Sequence, residues 1–151
     1  MSSSRPAAVA GLFYPSNARD LVTEIASCMA AANAEAGEKP PKALIVPHAG
    51  YVYSGAVAAS AYVLLKPLHQ TIRRVVLLGP AHRVAVRGLA ASAAQSFATP
   101  LGEVRLDRAA IDAALRLPQV IVSDAAHAQE HSLEVQLPFL QSVFEDFELV
   151  P

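Results

Sequence analysis

The sequence predicts an α/β fold, a three-layer sandwich around a mostly parallel central sheet. Three observations predict it. The runs Ala43–Val46 and Val75–Leu78 are apolar throughout, as expected of strands buried on both faces of a sheet. Stretches with apolar residues at helical spacing lie between the strand-like runs, the alternation of an α/β architecture. And 151 residues, 53% of them hydrophobic, suffice for one core but not comfortably for two.

The elements follow in order. Ser16 or Asn17 caps a first helix whose apolar positions are Leu21, Ile25, Cys28 or Met29, and Ala32. Gly37 stands at its C-cap, and Glu38–Lys42 links onward to the strand Ala43–Val46, which Pro47 ends. A Gly- and Tyr-bearing turn, His48–Gly55, leads into a second helix, Ala56–Leu65, stopped by Pro67. Val75–Leu78 is closed by Gly79-Pro80. Val86–Ser92 and Gly102–Leu106 read as further strands, the second after the turn Thr99-Pro100. Asp107 caps a helix through Arg116, Gln119–Ser123 is a strand, the last helix lies within Glu130–Phe144, and Phe147–Val150 is a final strand. Leu149-Val150-Pro151 echoes Ile45-Val46-Pro47, a strand then followed by a helix, so a single domain truncated at its C-terminus is expected.

Composition excludes several classes. Mean hydropathy is +0.33, but the longest apolar runs fall well short of the ~20 residues that span a bilayer. Met1–Ser4 is polar and no apolar signal segment follows, so a cytoplasmic location is expected and no membrane partner. The formal charge of −1, with nine arginines scattered along the chain, gives no nucleic-acid footprint. Arginine and alanine bias hints at a GC-rich bacterial genome. Cys28 is the sole cysteine, which excludes intramolecular disulfides and Cys-rich zinc sites; in its alanine-rich helix it reads as a small hydrophobe.

Two segments share one design: Ala43-Leu-Ile-Val-Pro-His48 and Val75-Val-Leu-Leu-Gly-Pro-Ala-His82. Each is a strand, a proline break, then a histidine just past the strand's carboxyl end, where ligands bind in open α/β sheets. Neighbouring strands lie ~5 Å apart, so His48 and His82 can point at a common centre. Imidazole is both a metal ligand and a general acid or base.

A third cluster, His127-Ala-Gln-Glu130-His131, with Asp124 at its edge, matches the H-x-x-E-H pattern of zinc metallopeptidases. Its context argues against that reading, because Ser132 suits the N-cap of a helix starting later and Pro138 disfavours one long helix. Gly50-Tyr51-Val-Tyr53-Ser54-Gly55 matches neither G-x-G-x-x-G nor a P-loop, so no nucleotide is expected. Tyr51 and Tyr53 either line a cleft with Glu130 or pack under the loop. Ser54 has no base beside it in sequence.

Together these stretches resemble the Memo family, called protein B of the AmmeMemoRadiSam system in prokaryotes. The resembling pieces are Ala10-Gly-Leu-Phe-Tyr-Pro15, Pro47-His-Ala-Gly-Tyr-Val-Tyr-Ser-Gly55, Leu78-Gly-Pro-Ala-His-Arg83, Thr99-Pro-Leu-Gly102 and Glu130-His-Ser-Leu-Glu-Val-Gln-Leu-Pro-Phe-Leu140. They cover nearly the whole chain in family order. The resemblance implies the N-terminal half of a larger domain, similar in fold to the class III extradiol dioxygenases, which are non-haem iron enzymes. It implies His48 and His82 as metal ligands and His131 as a further site residue; for a redox enzyme with such ligands, iron or copper is expected ahead of zinc. Remaining site residues, including a distal cysteine or its substitute and another histidine, are expected outside this chain, and Cys28 is not that cysteine. His127 aligns with no firm family position.

Fold does not fix function, so two hypotheses from different classes stand. The complete protein is either a non-haem metal-dependent oxidoreductase or a non-catalytic module whose histidine-lined cleft binds a peptide or protein. Small molecules, peptides, and the AMMECR and radical-SAM proteins of the same system are the expected partners. With His48 and His82 as its only ligands, this chain alone is expected to bind metal weakly and to lack catalysis, because open catalytic sites usually supply three protein ligands. Loss of a further half is also expected to expose a sheet edge and apolar surface, favouring self-association.

Overall fold

The computed structural model describes residues 3–32 and 40–151. The expected Gly37 C-cap, and Glu38 and Lys39 of the link that follows it, lie outside the described residues. The chain begins with a two-residue strand β1 (Ser4–Arg5) and helix α1 (Ala18–Ala31). Asn17 caps α1, its side chain accepting from the N–H groups of Arg19 at 2.9 Å and Asp20 at 3.2 Å. Leu21, Ile25 and Met29, four residues apart, form its buried face; Met29 rather than Cys28 holds the third position.

Helix α2 (Tyr51–Tyr62) starts five residues earlier than expected, with Gly50 at its N-cap, and continues as a 3-10 turn (Val63–Leu68) through Pro67. After it come β2 (Arg74–Val76), β3 (Leu89–Ala91), β4 (Ser96–Thr99), β5 (Gly102–Arg105), α3 (Arg108–Ala114) and β6 (Val120–Val122). A short α4 (Asp124–Ala128), a 3-10 turn (Glu134–Gln136), α5 (Leu137–Val143) and β7 (Glu148–Val150) complete the chain. Asp107 caps α3 as expected, accepting from Ala110 N–H at 2.8 Å.

Pairing is mixed and mostly parallel, an α/β fold. Strands β1 and β4, β2 and β7, and β3 and β6 pair in parallel, and β4 and β5 form an antiparallel hairpin. An isolated bridge between Leu106 and Leu149 ties the end of that hairpin to β7. Buried aromatic and aliphatic side chains join the helices to the sheets, with Phe139 between Tyr51 and Tyr62 at ring distances of 5.0 and 5.1 Å.

One expected pair of strands does not form. Ala43–Val46 is extended but belongs to no sheet, and β2 pairs with β7 instead. Prolines at 41 and 47 bracket this short run and deprive its ends of ladder donors. An apolar cavity of about 340 Å³ separates it from β2, lined by Leu44, Val46, Val75 and Leu77. Leu44 and Val46 still pack against the core, whereas Ile45 is fully exposed. Along β2 and just beyond it the same alternation leaves Val76 and Leu78 exposed at 64% and 70%.

Gly88 marks where β3 meets β6. Its φ is +93°, and a Cβ there would lie 2.2 Å from the carbonyl oxygen of Gln119, which accepts from Leu89 N–H. Gly88→Ala is therefore expected to cost at least ~2 kcal/mol, since the strained φ alone costs on the order of 1–3 kcal/mol. Urea unfolding checks this, and a loss below about 0.5 kcal/mol would refute it.

Candidate functional site

Three loops meet at one point. The first, Pro47–Gly50, leads from the unpaired extended run into α2. The second, Gly79–Arg83, follows β2, and the third, Gln129–Leu133, follows α4. They bring His48, His82 and His131 together, with one ring nitrogen of each within 4.8 Å of the others. Ring centroids are 5.3 Å apart for His48–His82, 5.8 Å for His48–His131 and 4.6 Å for the stacked pair His82–His131.

Glu130 organises two of these loops. Its buried carboxylate accepts from the backbone N–H of His82 at 2.5 Å and from those of His131 and Ser132 at 2.9 Å each. It also faces His82 Nδ1 at 2.8 Å. An ionised carboxylate only accepts, so Nδ1 carries the proton there and Nε2 is the free donor atom of His82. Burial pushes the Glu130 carboxyl up, but the hydrogen bonds from His82 and Ser132 outweigh it and hold the pKa at about 2. Burial holds His131 below the ordinary imidazole value, which favours its neutral, ligating form.

Each loop has further fixings. Ser132 Oγ donates to the Pro80 carbonyl at 2.8 Å, and Gly79 admits this approach: a Cβ there would lie 2.8 Å from Leu133 and 2.9 Å from Ser132 Oγ. Gln136 Nε2 donates to the Pro47 carbonyl at 3.0 Å, itself held by Tyr62 through its Oε1. Phe13 packs on His131 at 4.6 Å, and its carbonyl accepts from Tyr51 N–H.

The remaining candidates divide by burial. Tyr51 packs under the loop, its hydroxyl donating to the Val135 carbonyl, whereas Tyr53 is 85% exposed on α2. Ser54 donates to the Ala49 carbonyl and closes the start of the helix. His127 stands apart from the other histidines: it is buried, its Nε2 bonds the Ala90 carbonyl at 2.8 Å, and its ring packs on Phe97. Helix α4 ends at Ala128, so no helix presents His127 and His131 on one face and the H-x-x-E-H zinc arrangement does not form. Asp124 accepts from Ser92 and Ala93, a structural use. Ser132 caps no helix; Leu133 holds that position. The larger cavity, about 490 Å³, lies beside the histidines: Val76, Leu78, Leu89, His127 and Glu130 line it, and none of the three clustered rings does.

Sequence reasoning passed over Arg5, Tyr14, Glu134 and Gln136, all buried around the third loop. The available signal was an acid and an amide inside the otherwise apolar Leu133–Leu140 stretch.

The family model described as Memo-like protein matches residues 5–151. The chain belongs to this family. Similar relatives are MEMO1 family proteins of Ignicoccus hospitalis, 43% identical, and of Thermotoga neapolitana and Aquifex aeolicus, each 38% identical. Each alignment covers 97% of this chain but only 53–56% of the relative. This Memo-family chain thus spans about half the length of the curated relatives it matches. No helix among its described residues is long and apolar enough to cross a membrane.

Proposed function

We propose that the three imidazoles hold one divalent first-row transition-metal ion. The observation that carries this reading is the convergence of three ring nitrogens, from loops far apart in sequence, within 4.8 Å. The donor set fits. A tetrahedral ion with ~2.0–2.1 Å bonds needs nitrogens ~3.4 Å apart, so the rings would close on the ion by little more than an ångström. A carboxylate on the second nitrogen of a ligating histidine is the usual orienting partner, and Glu130 stands there for His82. His131 raises the count from the two ligands expected from sequence to the three of open catalytic sites.

Imidazoles accept zinc, copper and iron alike; iron or copper is proposed ahead of zinc for the redox chemistry that zinc does not offer. Bound there, either metal would supply one-electron redox chemistry with positions open to a small molecule. The chain's own groups prepare the site. Glu130 keeps the His82 proton on Nδ1, Phe13 shields one side of His131, and His82, 41% exposed, leaves access from solvent. A metal-dependent oxidoreductase activity is the reading proposed for the protein.

Calorimetric titration of the purified chain with anaerobic ferrous, cupric and zinc ions tests the site. One ion per chain is expected, with affinity reduced at least about tenfold in His48→Ala. Several weak sites, unchanged in that variant, would refute it.

A second reading rests on exposed apolar side chains of α2 beside His48: Val52, Tyr53 and Val57, 82%, 85% and 62% exposed. Such a patch suits a peptide or protein partner. Binding of a partner that is independent of metal and survives His48→Ala would favour it.

A further inference from the structure

We propose that Arg5 and Glu134 form a buried clamp that sets the geometry of the three-histidine site. The proposal rests on the metal-site reading above and deepens it by naming the positioning residues. Both side chains are buried and paired, 6% and 0% exposed. Besides its ion pair with Glu134, the Arg5 guanidinium donates from Nε to the His127 carbonyl at 2.9 Å and from Nη2 to the Glu130 carbonyl at 2.7 Å. It also lies over the Phe97 ring at 5.2 Å. One planar fork therefore fixes both ends of the short segment that carries Glu130.

Glu134 ties the same segment to a different part of the chain. Its Oε1 accepts from Val9 N–H at 2.9 Å and Tyr14 Oη at 2.7 Å, and its Oε2 from Ala8 N–H at 2.8 Å. Residues 8–14 include Phe13, which packs on His131 and holds the start of α2, just after His48, through Tyr51 N–H. Glu130 in turn holds His82. All three imidazoles are thus positioned from one ion pair that touches none of them.

A buried ion pair is weak evidence of net stabilisation, since well-packed apolar groups often do as well. Here the pair's hydrogen bonds go to the segment that carries the site. Arg5→Lys separates position from stability. It keeps a cation against Glu134 but lacks the fork that reaches both carbonyls.

The test compares wild type with Arg5→Lys and with the double variant Arg5→Met/Glu134→Gln, which removes both charges together. Three quantities are read: thermal unfolding, cupric-ion affinity, and, without metal, nitrogen NMR of the His82 ring with amide exchange at His131 and Ser132. Cooperative unfolding is expected in at least one variant. In that variant cupric affinity should fall about tenfold or more, the range for outer-shell partners, with loss of the His82 Nδ1–H preference and faster exchange. Unchanged ring signals and exchange in a folded variant would overturn the clamp. If wild type binds no cupric ion, the metal reading fails, and the metal-free NMR measurements still decide the clamp. If neither variant unfolds cooperatively, the pair is structural and the proposal is refuted.

Discussion

Glu134→Ala should destabilise the protein by roughly 3–5 kcal/mol, the cost of leaving a buried charge without its partner. The Arg5 guanidinium would keep its two carbonyl acceptors but lose its only anion among the described residues. Ala8 N–H, Val9 N–H and Tyr14 Oη would lose their shared acceptor as well. Each such orphan costs about 1–3 kcal/mol on its own scale, overlapping with the first figure rather than adding to it. Native domains have only ~5–15 kcal/mol in total, so the variant should be partly unfolded or aggregated at 37 °C. The surface pair Arg105–Asp146 is a control. Its side chains are 66% and 68% exposed at 3.4 Å, and Asp146→Ala should change stability by no more than ~0.5 kcal/mol. Urea unfolding of both variants gives the comparison. A Glu134→Ala loss below about 1 kcal/mol would mean the network relaxes in a way the hydrogen bonds do not suggest.

His131→Ala and His127→Ala should behave in opposite ways. Removing His131 takes one of three donors from the cluster, and metal affinity should fall roughly 100-fold, near 2.8 kcal/mol at 1.4 kcal/mol per decade. Stability without metal should change less than in His127→Ala, because the ring packs on Phe13 and the other two imidazoles and its side chain makes no hydrogen bond to a backbone carbonyl among the described residues. Removing His127 deletes a buried ring, its bond to the Ala90 carbonyl and its contact with Phe97. That should cost about 1–3 kcal/mol of stability and leave affinity within roughly threefold of wild type. Calorimetry and urea unfolding on the same preparations separate the two. Loss of metal on His127→Ala, with His131→Ala neutral, would contradict the geometry.

The family, the α/β class and the three converging histidines could be read from sequence for a common reason. Each rests on local signals: a histidine just past a strand-like run and its proline, a capped amphipathic helix, a distinctive loop motif. Helices α1 and α3 were placed well because Asn17 and Asp107 are good caps before periodic apolar residues. Strands β1 and β4 were missed. Two residues, Ser4 and Arg5, carry no periodicity, and Ser96–Thr99 is too short and mixed to separate from a turn. The apolar run Ala43–Val46 misled in the other direction, since apolar composition reports neither a partner strand nor burial on both faces: Leu44 and Val46 pack inward while Ile45 is exposed. Residue identity gave no pointer from Arg5 to Glu134 across 129 positions. Only folding brings them together, so the network that supports the site was the least readable part of it.

That separation has a consequence for synthesis. Strand β1 pairs with Ser96 and Phe97, and the Arg5 guanidinium finds its carbonyls at His127 and Glu130 and its anion at Glu134. At roughly 5–20 residues per second, the N-terminal strand leaves the ribosome on the order of ten seconds before its last partner is made. Throughout that interval Arg5 remains a solvated cation, Phe13 lacks the His131 ring it packs against, and His48 and His82 lack their third neighbour. A nascent chain that stops before His131 therefore has no complete histidine cluster, and one that stops before Glu134 lacks the ion pair beneath it, so the cluster and its support are completed late and within a few residues of each other.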